Sequence, residues 1–173
     1  MAETLQTLKE RRSVRKYKAD PIPEEILEKI LEAGTYAATG NGLQSPIILA
    51  VTNREIRDRL SAMNAKIMGT DTDPFYGAPV VLVVLADKTK PTCLYDGTLV
   101  MGNLMAAAAD LGIGSCWIHR AKEEFESEEG RALLKSLGIE GDYEGIGHCI
   151  LGYPDGAAGN AAPRKANYVY RIK

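Results

Sequence analysis

Apolar positions fall into stretches with helical spacing and shorter unbroken runs, with Gly and Pro between them as punctuation. Residues 4–12 carry Leu5 and Leu8 and end in a basic run. Pro21-Ile22-Pro23 blocks continuation, and Pro23 suits the first position of a helix over 24–38, where Ile26, Leu27, Ile30 and Leu31 form one face. Thr39-Gly40-Asn41-Gly42 breaks that helix, and residues 46–52 read as a buried strand. Asn53 can cap a helix on which Ile56, Leu60, Met63 and Ile67 recur. Gly77-Ala78-Pro79 precedes residues 80–85, the clearest strand in the chain. Asp96 can cap a helix reaching Leu111. Its Gly97, Gly102 and Ala106 to Ala109 leave little bulk, so a second backbone or a flat ligand can approach closely. Residues 115–119 read as a strand, 121–137 as a helix stopped by Gly138, 146–153 as a strand and 168–172 as a short last one.

The sum is about five helices and five strands in alternation, which by itself suggests a parallel, doubly wound sheet. The ending points elsewhere. Residues 154–167 are long and irregular, yet strand-like sequence follows them. A tail of that kind adds a strand to a neighbour's sheet, so a dimer is expected.

Composition narrows the class. The 173 residues are 45% hydrophobic and 25% charged, which is globular, and no linker or repeat divides residues 1–173, so one domain is expected. Lys and Arg number 21 against 23 Asp and Glu, a net of -2, which argues against nucleic acid as a partner. The longest apolar run, residues 79–86, is far short of the ~20 residues that cross a bilayer. The first residues do not read as a secretory signal. Three cysteines without CxxC fit reduced thiols, and a cytoplasmic location is expected.

The most informative stretch is Arg11-Arg12-Ser13-Val14-Arg15-Lys16-Tyr17. If helix continues through it, Arg11 and Arg15 share a face. If the chain is extended there, Ser13 and Arg15 do. Either geometry gathers guanidinium forks and a hydroxyl, as phosphate recognition requires. Arg164-Lys165, in an otherwise neutral Ala/Gly-rich tail, can reach the same phosphate from another direction. Residues 39–45, polar and glycine-bearing, lie before a strand, where backbone groups remain free for a ligand. No Walker A loop and no GxGxxG is present. Cys116, His119, His148 and Cys149 do not read as a zinc site, because each pair falls at odd separation in a strand and points to opposite faces. With no GxSxG elbow and no evident acid or base, a cofactor is expected to supply the chemistry.

These residues resemble the FMN-dependent nitroreductase family, in its short bacterial branch, along essentially the whole chain. The Arg11 to Tyr17 run looks like its RRSxRxY/F motif. Residues 37–46 are similar to its A-P-S/T-G-x-N-x-Q-S/P segment. Asp73-Pro74-Phe75-Tyr76-Gly77-Ala78-Pro79, the helix from Asp96, Gly112-Ile113-Gly114-Ser115-Cys116-Trp117-Ile118 and Arg164-Lys165 follow in the family's order. The resemblance implies an α+β fold with a central, mostly antiparallel or mixed sheet flanked by helices. It also implies an intertwined homodimer that exchanges C-terminal strands and holds two FMN at its interface. Carried over by position, Arg11 and Ser13 would hold the phosphate and ribityl chain with Arg12 beside them, and Arg15 would approach the flavin N1/O2 edge. Thr39, Gly40, Gly42 and Gln44 would reach the flavin from the other subunit, and Asn64 would bond its pyrimidine end. The Trp117, Ile118 and His119 backbone would lie near N5, and Arg164 with Lys165 would complete the phosphate clamp.

The resemblance implies an NAD(P)H oxidoreductase, in which NADH or NADPH delivers hydride and a flat electrophile such as a nitroaromatic or quinone then takes it, in ping-pong order. A specialised reductase or dehalogenase-type enzyme, and a flavin-binding redox sensor without turnover, are the alternatives. The chain departs from the family pattern at Ala38, Gly42 and Pro46, and at His119-Arg120, where another branch has an acidic residue followed by Gly.

Overall fold

The computed structural model describes residues 4–157 and 159–173. In chain order the elements are α1 (Thr4–Glu10), α2 (Glu24–Thr35), a 3-10 turn (Gly40–Gly42), β1 (Pro46–Val51), α3 (Arg54–Met68), β2 (Val80–Asp87), α4 (Cys93–Asp110), β3 (Gly114–Ile118), α5 (Ala121–Glu126), α6 (Glu128–Ser136) and β4 (Tyr143–Gly152).

The four strands form one sheet in the order β1-β2-β4-β3, and every neighbouring pair is antiparallel. The α+β expectation from the family resemblance holds, and the parallel sheet suggested by simple alternation does not. β2 is central and splits the core by period 2. Leu82, Val84 and Ala86 face α2 and α4, with Ile30, Met101 and Leu104. Val81, Val83 and Leu85 face the other layer, with Leu60, Phe75, Phe125 and Leu133. Each such fully buried aliphatic or aromatic side chain contributes about 1.5–3 kcal/mol of transfer free energy, so both layers are anchored on β2.

Beside shifts of a few residues at other element ends, three differences from the sequence reading bear on the site. Helix α4 starts at Cys93, so Asp96 is not a cap but a buried residue of its first turn. The helix expected over 121–137 is two. Ser127 ends α5 and caps α6, accepting from the Gly130 amide at 3.0 Å and donating to the Glu124 carbonyl at 2.6 Å. A Cβ at Gly130 would lie 2.0 Å from that carbonyl, so the turn between the helices closes only on glycine. Residues 168–172 form no strand in this chain. Tyr168, Val169, Tyr170 and Ile172 are exposed, and among the described residues no backbone hydrogen bond joins 159–173 to the body.

The two sheet edges differ. Outside β3 runs the segment after α1, with Ser13 bridged in parallel to Ser115 and the Val14 amide donating to the Ser115 carbonyl at 2.9 Å. The same segment is strapped to the end of β4 by Lys18 N to Tyr153 O (2.9 Å) and Asp155 N to Lys16 O (3.0 Å). Among the described residues β1 pairs on its β2 side only. No helix among them is long and apolar enough to cross a membrane.

Candidate functional site

Helix α1 ends at Glu10, and residues 11–17 run extended along β3, which selects the geometry in which Ser13 and Arg15 share a face. Arg15 lines a cleft of about 240 Å³ together with Tyr76, Asp73 and the run Cys116, Trp117, Ile118, His119 and Arg120. The N-terminal basic run and the end of β3, far apart in sequence, therefore meet. Trp117 owes its place there to Gly147 on β4, where a Cβ would lie 2.2 Å from the indole Nε1.

Arg11, Arg12 and Ser115 border a second cleft of about 210 Å³, which Glu10 and Gly114 also line and which shares no lining residue with the first. Arg12 folds back on its own chain, its Nη1 donating to the Lys9 and Arg11 carbonyls, both at 2.7 Å. Among the described residues, Arg11 Nη1 and Ser115 Oγ are buried without a partner. A buried guanidinium nitrogen left unpaired is costly, and an anion at that point would satisfy it.

The backbone around the first cleft is unusual. Tyr76 (φ 53°) and Arg120 (φ 76°) are non-glycine residues in the left-handed region. Asp73 holds the first of them, accepting from the Phe75 amide (2.8 Å), the Gly77 amide (2.8 Å), Ser61 Oγ (2.6 Å) and Arg57. Burial acts to raise the Asp73 carboxyl, but the bonds from Arg57, Ser61 and the two amides outweigh it and leave it below the ordinary carboxylate value. Asn64 holds the second. Its Nδ2 donates to the His119 carbonyl (2.8 Å) and to Glu124, and its Oδ1 accepts from Arg120 Nε (3.0 Å). Asn64 is fully buried, and both ends of its amide are spent within the chain.

Thr39, Gly40, Gly42 and Gln44 lie elsewhere. Thr39 and Gln44 border an apolar groove of about 410 Å³ beside β1, shared with Leu31, Pro46, Ile48 and Val100. Asp96 clamps their loop, accepting from the Gly40 amide (3.0 Å), Ser45 Oγ (3.3 Å) and Thr92 Oγ1 (2.9 Å). Arg164 and Lys165 lie in the exposed tail. Arg164 donates to the Ala162 carbonyl, and Lys165 Nζ sits 5.4 Å over the Tyr168 ring. Within one chain, then, the structure joins Arg15, Trp117, Ile118 and His119 in one cleft and Arg11 and Arg12 in a second, and leaves the loop and the tail pair apart from both.

The zinc-like residues have other surroundings. Cys149 is fully buried, and its thiol is pushed up to about 12 by burial first and by Cys116 second, with Arg11 acting the other way. His148 is also fully buried, with Nε2 3.1 Å from Glu124 Oε2.

The nitroreductase family profile matches residues 8–153. A curated relative from Archaeoglobus fulgidus, a putative NADH dehydrogenase/NAD(P)H nitroreductase, is 31% identical over 89% of this chain and 87% of its own length. The chain belongs to the nitroreductase family. A solved nitroreductase with bound FMN from Bacteroides fragilis superposes with a TM-score of 0.88 at 32% identity, covering 100% of both chains. Another with bound FMN, from Desulfitobacterium hafniense, gives 0.87 at 26% identity over 99% of this chain and 100% of its own. Other curated relatives are longer: the chain spans 60% of one from Methanothermobacter thermautotrophicus, likewise a putative NADH dehydrogenase/NAD(P)H nitroreductase.

Sequence reasoning passed over Asp96, Ser115, Asp73, Tyr76, Arg120 and Glu124 as site residues. Two had a signal. Asp96 stands in a stretch of α4 that is otherwise uncharged up to Asp110, and Glu124 falls on the apolar face of its helix beside Phe125. A buried carboxylate must find partners, which here are the loop amide and Asn64.

Proposed function

We propose that this nitroreductase-family chain is an FMN-dependent NAD(P)H oxidoreductase that reduces nitroaromatics, quinones or similar flat electrophiles, with its flavin site completed by a second copy. The observation that carries the reading is the buried Arg11 Nη1, unpaired among the described residues, in a cleft that the Ser115 hydroxyl also lines. Family members of the same fold and length bind FMN.

The residues fit that group. Arg11 and Ser13, with Arg12 beside them, would hold the phosphate and ribityl chain. The ring would lie against the Trp117, Ile118 and His119 backbone, with Arg15 at its N1/O2 edge. Thr39, Gly40, Gly42 and Gln44, and the Arg164-Lys165 pair, would come from the second copy, since this chain holds them apart from its own cleft. Three features support the dimer: the unpaired β1 edge, the exposed strand-like tail, and the exposed Leu94, Tyr95 and Leu99 on α4. When bound, FMN supplies the hydride chemistry, taking hydride from NADH or NADPH and giving it to the acceptor. The chain's part is electrostatic and geometric. Arg15 places fixed positive charge where negative charge accumulates on reduction, and the cleft walls align flat partners.

The test is a spectrum of the purified protein and a redox titration of the Arg15→Ala variant. The wild type should carry flavin absorbance or take it up on soaking. Arg15→Ala should bind FMN more weakly and lower its potential by about 30 mV, the two-electron equivalent of one weakened charge contact. A colourless protein that ignores added FMN overturns the reading. An unchanged potential with FMN bound removes Arg15 from this role.

A further inference from the structure

Arg120, the last residue before α5, carries φ 76° and ψ 8° and turns the chain from β3 into that helix. A side chain in that conformation is strained, and such strain persists only where surrounding contacts impose it. The contacts here converge on one buried amide. Asn64, on α3, bonds the carbonyl of the residue before the turn and the guanidinium of Arg120 itself. Behind Asn64 stands Glu124 of α5, fully buried, accepting from Asn64 on one oxygen and sharing a 3.1 Å hydrogen bond with His148 of β4 on the other. The His148 ring packs at 44° against Phe75, centroids 5.0 Å apart, and Phe75 adjoins the left-handed Tyr76 across the same cleft.

We propose that Asn64 is a positioning residue: braced by Glu124 and His148, it holds the His119–Arg120 turn in its left-handed form from inside the core, so that this turn presents one fixed wall to the cleft. The inference rests on the flavin reading above only in what the wall faces. The bracing itself is a property of the chain alone. It also gives a reason for Arg120 in place of glycine. A glycine would hold the turn with no bracing, whereas Arg120 needs Asn64 and supplies the guanidinium that Asn64 accepts from.

The experiment crosses Asn64→Ala with Arg120→Gly and reads amide hydrogen exchange of the flavin-free protein over residues 117–121, then FMN affinity by fluorescence titration. Asn64→Ala in the wild-type background should speed exchange across the turn and raise the FMN Kd about tenfold, the scale of one lost hydrogen bond. In the Arg120→Gly background the same substitution should change Kd less than about twofold, because glycine adopts the turn unaided. Glu124→Gln, whose side-chain oxygen still accepts from Asn64, should restore the part of the Glu124→Ala loss that runs through Asn64, and the melting temperature of each flavin-free variant identifies any that fails to fold. Equal losses of affinity in both backgrounds, with exchange unaltered, would make Asn64 a direct ligand and overturn the proposal. Faster exchange in a protein that binds no FMN at all would uphold the bracing and overturn the flavin reading instead.

Discussion

The cleft at the end of β3 and the loop at residues 39–45 both carry non-glycine residues in the left-handed region: Tyr76 and Arg120 in the first, Asn41 (φ 54°) and Gln44 (φ 49°) in the second. Their support differs. Asp73 and Asn64 brace the cleft from several directions, each with partners in the core. The loop is held from one side by Asp96, and Asn41, Gly42, Leu43 and Gln44 remain exposed. The left-handed turns of the cleft are braced within one chain. The loop is stiffened and displayed, as a surface is when its other face is supplied by a second copy, and the exposed tail is displayed in the same way. Pre-shaped backbone therefore occurs in two settings in this molecule, one braced from the core and one displayed on the surface that the proposed second copy would cover.

The largest expected effect breaks the displayed half. Deleting residues 164–173 should shift the protein from dimer to monomer in sedimentation velocity and weaken FMN binding on the order of a hundredfold, as loss of charge-assisted contacts to a phosphate implies. A truncated chain that stays dimeric and binds FMN as tightly would show that the tail completes nothing. A smaller effect sharpens the contrast. Asp96→Ala removes three accepted bonds on the loop side and should cost about 2 kcal/mol of stability in a denaturant melt. Exchange at residues 117–121 should stay as in the wild type, and faster exchange there would mean that the two regions are coupled through α4. The smallest effect concerns the cleft. Because the folded Asp73 carboxyl sits below its ordinary 3.8, its contribution is complete above that pH and is lost as pH falls through the lower folded value. The melting temperature of the wild type should therefore fall more steeply below about pH 4 than that of Asp73→Asn, and parallel curves would remove Asp73 from that account.

Local patterns in the sequence carried much of this architecture. The apolar run in β2 and the Asn53 cap of α3 are signals written in a few adjacent residues, and both appear in the fold, whereas Pro23, expected as the first helical residue, precedes α2 with a non-helical ψ of 140°. The basic run at 11–17 was visible as candidate chemistry for the same reason. What escaped depends on distant partners. Helical spacing continues through Ser127 because α5 and α6 face the same core, so periodicity alone joins them. Element alternation does not encode strand direction, and here long connections return each strand antiparallel. Asn64, Glu124 and His148 are ordinary polar residues in sequence; only burial against one another makes them a network. Residues 168–172 have strand composition but no ladder within the chain, and a strand without a neighbour's hydrogen bonds is not a strand.

The central claim is one flavin site shared between two copies, with guanidinium groups from both ends of the polypeptide. Sedimentation velocity of the protein with added FMN, followed at the flavin absorbance, addresses it most directly. The account expects one FMN per chain travelling in a particle of twice the mass of one chain. Flavin bound stoichiometrically to a single chain, or no flavin in the protein boundary, would contradict it.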